Sequence, residues 1–103
     1  MAPPFTPGQL EAIHQLCRDH GVLRLRLTGS RAEPGMARED SDFDFLVVFG
    51  EPPEGMNAFS QLMGMLLGLE NLLQTPCDLI PEKMLRPWWR ESLESGAQSV
   101  FAA

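Results

Sequence analysis

The chain has 103 residues, enough for one hydrophobic core but not for a second catalytic domain, so a single domain spanning 1–103 is expected. With 44% hydrophobic and 21% charged residues it has the balance of a soluble globular protein, and no apolar run approaches the length of a membrane span. A net charge of −6 argues against extended binding along a nucleic-acid backbone, which relies on Lys and Arg displacing counterions, although free nucleotides are not excluded.

The amino terminus, MAPPFTP, lacks a positive charge followed by an apolar stretch, so no export signal is read there and a cytoplasmic location is expected. The segment TPGQLEAIHQLCRDHG predicts a helix: Thr6 as N-cap, Pro7 in the first turn, Gln9 completing a capping box and Gly21 ending it. Its apolar stripe is Leu10, Ile13 and Cys17, joined by Leu16. His14, Cys17 and His20 follow at three-residue steps, but ligands drifting around one helix do not converge on a tetrahedron, and no zinc site is read there. Cys17 and Cys77 are widely separated and form no CxxC motif, so both are expected as reduced, buried thiols.

Next, VLRLRLT alternates Leu23, Leu25 and Leu27 against Arg24 and Arg26, the period of a half-exposed strand whose arginines form a solvated face. It ends at Gly29-Ser30. A polar loop or short helical turn containing Pro34 and Gly35 leads to a second strand, Phe43 to Phe49, whose run Leu46-Val47-Val48-Phe49 predicts burial on both faces and a central position. After EPPEG, residues 57–73 place Phe59, Leu62, Met63, Leu66, Leu69 and Leu73 at helical spacing, with Gly64 and Gly68 as weak points. CDLI between Pro76 and Pro81 reads as a third strand, and residues 82–95 as a last helix interrupted or restarted at Pro87. There the adjacent Trp88 and Trp89 point about 100° apart, so at least one is expected to be partly exposed, as on a partner surface. The order αβ(α)βαβα is a small α/β layer with helices covering the sheet and the site at the strand ends.

Asp42 and Asp44 stand one residue apart at the mouth of the second strand. Alternation would aim both carboxylates to one side, with Cα atoms roughly 6–7 Å apart, while Phe43 and Phe45 face the core. Two carboxylates on one side repel unless a cation lies between them, and hard oxygen donors at this separation suit Mg²⁺, which fills its other positions with water and substrate phosphates. Asp78 opens the third strand as Asp42 opens the second, so pairing those strands would gather three acids, enough for two metal ions. Such a site suits phosphoryl or nucleotidyl transfer. The Gly29-Ser30 turn admits close approach of a phosphate and offers it N–H and hydroxyl donors, with Arg31 and Arg38 as further phosphate partners.

Gly29-Ser30, then Ser41-Asp42-Phe43-Asp44-Phe45-Leu46-Val47, then Asp78-Leu79, resembles the minimal nucleotidyltransferase (MNT) family of the DNA polymerase beta-like superfamily, over essentially the whole chain. The resemblance implies an α/β (α+β) fold with a small mixed sheet flanked by helices. It implies that Asp42 and Asp44 bind Mg²⁺ and the nucleotide triphosphate, that Asp78 completes a second metal site and helps activate the acceptor hydroxyl, and that Gly29-Ser30 holds the triphosphate. It further implies transfer of a nucleoside monophosphate, AMP from ATP foremost or from another NTP, to a tyrosine of a HEPN-type toxin for which the chain is the antitoxin. A non-catalytic antitoxin that neutralises its partner by covering it is the alternative, and homo-oligomerisation is left open. Many relatives read GSRARG where this chain reads GSRAEPG, so Glu33 stands in place of a second basic residue and weaker phosphate binding is expected.

Overall fold

The computed structural model describes residues 4–28, 43–85 and 97–103. Helix α1 spans Pro7–Asp19 and starts as its sequence requires: the Thr6 side chain accepts from the Gln9 backbone N–H at 3.1 Å, and the Gln9 side chain accepts from the Thr6 N–H at 2.9 Å. It ends at His20, and Gly21 turns the chain at φ +66°, the left-handed conformation that glycine adopts without strain. Ile13 and Cys17 are fully buried, with Leu10 and Leu16 packed beside them. His14 and His20 make no common site: one ring nitrogen of His14 bonds to the Val100 carbonyl, and one of His20 to the Leu16 carbonyl.

Strands β1 (Val22–Leu27), β2 (Phe43–Phe49), β3 (Cys77–Pro81) and β4 (Gln98–Ala102) form one mixed sheet in the order β3-β2-β1-β4. β2 pairs in parallel with β3 and antiparallel with β1, so it is interior, as its apolar run predicts. Helix α2 (Ala58–Leu73) connects the two parallel strands, capped at its start by the Asn57 side chain accepting from the Ser60 N–H. The main core lies on one side of the sheet, where Leu25, Leu27, Phe45, Val47 and Cys77 meet Ile13 and Cys17 of α1 and Met65 and Leu69 of α2. A smaller cluster on the other side joins Leu46 and Ile80 to Leu85 and Ala97.

Three sequence expectations are corrected. Leu23 does not join Leu25 and Leu27 in the core and is 50% exposed, because the β1–β2 register slips between Val22 and Arg24 and breaks the alternation there. The buried line of α2 is Gln61, Met65 and Leu69, whereas Phe59 is 70% exposed, so the helix is rotated from the stripe its apolar residues suggest. Gln61 accounts for the rotation: its amide donates to the His20 and Gly50 carbonyls at 2.9 and 3.2 Å, tying α2 to the ends of α1 and β2. Finally, the run from Glu82 begins as a single 3-10 turn, Glu82–Met84, and the chain returns as an unforeseen fourth strand, β4, antiparallel to β1. The rest of the expected last helix, with Trp88 and Trp89, lies outside the described residues.

Gly64 and Gly68, read as weak points of α2, face α1. A Cβ at Gly68 would lie 2.7 Å from a Leu16 methyl carbon, and one at Gly64 would lie 2.6 Å from the His20 ring, so the missing side chains make room for the α1 residues that seat there.

Candidate functional site

Alternation divides the two sides of the sheet by chemistry. Phe43, Phe45, Val47, Cys77 and Leu79 belong to the helix-side core, so Asp44 and Leu46 of β2 and Asp78 and Ile80 of β3 fall on the opposite face. In the parallel β2–β3 ladder Asp44 is the register partner of Asp78. Adjacent strands lie about 4.8 Å apart, so the two carboxylates rise side by side at the end of the sheet where β2 and β3 begin. The bases of Phe43 and Phe45 are locked from below by Phe5, whose ring centroid is 5.3 Å from Phe43 and 6.2 Å from Phe45. Asp44 is 4% exposed, a depth that a charged side chain tolerates only with polar partners, while Asp78 is half-buried.

The end of β1 is fastened to the same point. Thr28 donates to the Asp44 carbonyl twice, from its backbone N–H at 2.9 Å and from its hydroxyl at 3.1 Å, so the chain leaves β1 toward Gly29 from a position beside Asp44. Thr28 had no chemical signal in the sequence; a hydroxyl before Gly29 is informative only once the antiparallel register is known. Of the predicted site residues, Asp44 and Asp78 are brought together. Gly29, Ser30, Arg31, Arg38 and Asp42 lie outside the described residues, as do Glu33 and Pro34. Among the described residues no group of three or more His, Cys, Asp and Glu gathers into a metal-holding cluster.

The same face holds a charged group that sequence reasoning misjudged. Arg24 and Arg26 do not form a solvated stripe: each places a guanidinium nitrogen 2.8 Å from the same oxygen, Oε1 of Glu82, whose side chain is 9% exposed. Arg26 is also largely covered, at 15%, while Arg24 stays 46% exposed. The available signal was the spacing itself. Two like charges at i and i+2 of a strand share a face and need a counter-charge, and Glu82, just past the end of β3, supplies it across β2. Arg26 pairs in register with Leu46, which puts Asp44 on its diagonal, within reach of a long side chain.

Asp44 and Asp78 thus present carboxylates from two adjacent strands, beside Thr28 at the end of β1, with Arg24, Arg26 and Glu82 further along the face. The family described as nucleotidyltransferase domain matches residues 11–98. Among solved structures, a candidate minimal nucleotidyltransferase is 40% identical, with 88% of each chain covered and a TM-score of 0.65. A chain of the complex between a tri-AMPylated Shewanella oneidensis HEPN toxin and an MNT antitoxin is 15% identical, with 92% of this chain and 71% of that one covered at a TM-score of 0.61. A toxin-antitoxin complex with AMP-PNP gives 17% identity over 91% of this chain and 73% of that one, at a TM-score of 0.60. At these last two identities the likeness is one of fold. No curated protein matches the chain. A family match over most of the length, joined to a sheet that sets Asp44 against Asp78, makes the chain a member of the nucleotidyltransferase domain family with the minimal nucleotidyltransferase fold.

Proposed function

We propose that this nucleotidyltransferase uses Mg²⁺ to move a nucleoside monophosphate, AMP from ATP, onto a hydroxyl of a HEPN-type protein partner, a tyrosine in the first instance, and so acts in the cytoplasm as its antitoxin. The observation that carries the reading is the register pairing of Asp44 with Asp78 in a chain of this family. The choice of partner and nucleotide is supported by the fold neighbours, which include an AMPylated HEPN toxin bound to an MNT antitoxin and a toxin-antitoxin complex with AMP-PNP.

The donor set fits a hard cation: Asp44 and Asp78 offer carboxylate oxygens from neighbouring strands, and Asp42 adds a third by its position in the sequence. Asp42, Asp44 and Asp78 would hold Mg²⁺, two ions in the full site, and the bound metal would favour ionisation of the acceptor hydroxyl and neutralise charge on the departing pyrophosphate. Gly29 and Ser30 would hold the triphosphate through N–H and hydroxyl donors, with Arg31 and Arg38 as its cationic partners. The acceptor oxygen bonds to the α-phosphorus as the bond to the pyrophosphate oxygen breaks, and Asp78 takes the hydroxyl proton at a carboxylate oxygen.

The test is to purify the chain with the protein it binds in its native host, add Mg²⁺ and each NTP in turn, and record intact masses. A partner that gains nucleoside monophosphate units supports transfer and identifies the acceptor. In parallel, the double variant Asp42→Asn and Asp44→Asn is assayed for neutralisation. Loss of neutralisation with partner binding intact supports the enzymatic reading; neutralisation that survives, with no mass gain on an unmodified partner, replaces it with the covering antitoxin.

A further inference from the structure

β3 lies at the edge of the sheet, so alternate N–H groups along it have no neighbouring strand to bond. One of them, that of Cys77, is met by a side chain: Glu70, in the last turn of α2, accepts from it at Oε2 over 3.0 Å. Cys77 is fully buried, so its N–H has to be satisfied inside the protein, and an ionised carboxylate makes a stronger bond there than a neutral acceptor would. Gln74, Thr75 and Pro76 alone separate the helix from the strand, and Gln74 takes the left-handed conformation at φ 55°. The Glu70 side chain closes this tight turn by fastening its two ends together.

That turn delivers Asp78. Successive N–H groups along a strand point to opposite edges, so with the Cys77 N–H directed to Glu70, those of Asp78 and Ile80 are directed to β2. Asp78 is therefore the first rung of a short ladder, the place where an edge strand of five residues would begin to part from the sheet. The helix is also tied to β2, because Gln61 donates to the Gly50 carbonyl just past the end of that strand at 3.2 Å. α2 is thus a brace between the strand that carries Asp44 and the strand that carries Asp78, and Glu70 is its joint at the acid-bearing end of β3. Mg²⁺ demands near-ideal octahedral geometry and tolerates little change in the spacing of its oxygen ligands. Resting on the transfer reading above, we infer that Glu70 is a positioning residue: acting through the Cys77 N–H, it sets Asp78 against Asp44 at the spacing a divalent cation needs.

The probe is Mn²⁺, which takes the same oxygen donors as Mg²⁺, titrated into the full chain without nucleotide while the free ion is read by electron paramagnetic resonance. Glu70→Ala is expected to weaken Mn²⁺ binding by about tenfold or more, the usual cost of losing a group that orients a metal ligand. Glu70→Gln keeps an acceptor oxygen at the same reach and should bind nearly as the native chain does. Val100→Ala, which removes buried methyl groups from β4 at the opposite edge of the sheet, lowers stability and should leave Mn²⁺ binding unchanged. Added to Asp78→Asn, Glu70→Ala should cost almost nothing more, as required of a residue that acts through Asp78. Native binding in Glu70→Ala, an equal loss in Glu70→Gln or Val100→Ala, a loss that adds to that of Asp78→Asn, or no Mn²⁺ binding by the native chain overturns the proposal. Intact masses with Mg²⁺, ATP and the copurified partner separate this outcome from the parent reading. Transfer whose Mg²⁺ dependence is untouched by Glu70→Ala retains nucleotidyl transfer and removes the positioning role; an ion site that depends on Glu70 and Asp78, with no mass gain, retains the positioning role and removes the transfer.

Discussion

Asp78 sits beside Asp44 because two strands pair in parallel at one register, and a shift of one residue would turn its carboxylate to the apolar side. Replacing Asp78 by Asn keeps the shape and hydrogen-bonding capacity of a half-buried position while removing the charge. Under the proposed assignment of Asp78 as a metal ligand, the expected outcome is a loss of transfer on the order of 100-fold or more with the circular dichroism melting curve essentially unchanged, since losing such a ligand would outweigh any effect on packing. Steady-state rates with the copurified acceptor check this. Cys17 illustrates the opposite role. Burial pushes its thiol from 9.0 up to about 12, against a smaller opposing pull from the Arg18 cation. The folded state therefore retains a proton that the unfolded chain gives up, and stability that is fully present below pH 9 is lost as pH rises toward 12, by up to about 1.4 kcal/mol per unit. Urea unfolding at pH 8 and pH 10.5 should show a midpoint that falls more steeply in the native chain than in Cys17→Ala. Native Cys17 should also resist alkylation at pH 8.5 until urea is added.

At the scale of elements, what was legible depended on whether local chemistry or tertiary contact set the outcome. The capping box of Thr6 and Gln9 is written in adjacent residues, and α1 begins where they say. The bounds of β2 and β3 follow equally from their apolar runs. The face of α2 was not legible, because a buried glutamine at position 61 outweighs an exposed phenylalanine at 59, and a polar residue that satisfies two distant carbonyls gives no periodic signal. β4 was missed for a related reason: QSVFA is short and lacks alternation, and its identity comes from pairing with β1 more than 70 residues earlier in the chain. The arginines of β1 were visible, but their counter-ion was not, since Glu82 is close to them only in three dimensions. Gly21 joins the local and the distant cases. Its sequence position announces a helix end, and in the fold a Cβ there would also lie 2.8 Å from the Glu51 carbonyl oxygen. Gly21→Ala should cost at least about 1–2 kcal/mol for the left-handed backbone alone, and more because a carbonyl cannot withdraw as a side chain can. A melting temperature lower by several degrees, with the same far-ultraviolet spectrum before unfolding, is the expected reading.

For the molecule as a whole, size and topology give the proposed nucleotide binding a large thermal signature. The two acids belong to different strands, β2 in the interior of the sheet and β3 at its edge, and these are joined through α2. A ligand held by both acids therefore ties the edge strand to the centre, and acts on the folded state alone because the unfolded chain has no such pairing. Magnesium and nucleotide at ten times the dissociation constant add about 1.4 kcal/mol to folding. In a domain of about 100 residues the unfolding entropy is small enough that this raises the melting temperature by roughly 5–10 °C. The expected series is a rise with ATP and Mg²⁺ together, most of it lost when EDTA removes the metal, and none in Asp44→Asn combined with Asp78→Asn. Because the chain carries a net charge of −6, Mg²⁺ without nucleotide should also give a smaller rise that high salt removes, by relieving repulsion among carboxylates. A nucleotide-dependent rise that survives both Asn substitutions would place the nucleotide elsewhere on the molecule. The absence of any rise with all four NTPs would separate the fold, which belongs to a nucleotidyltransferase, from the chemistry of its relatives.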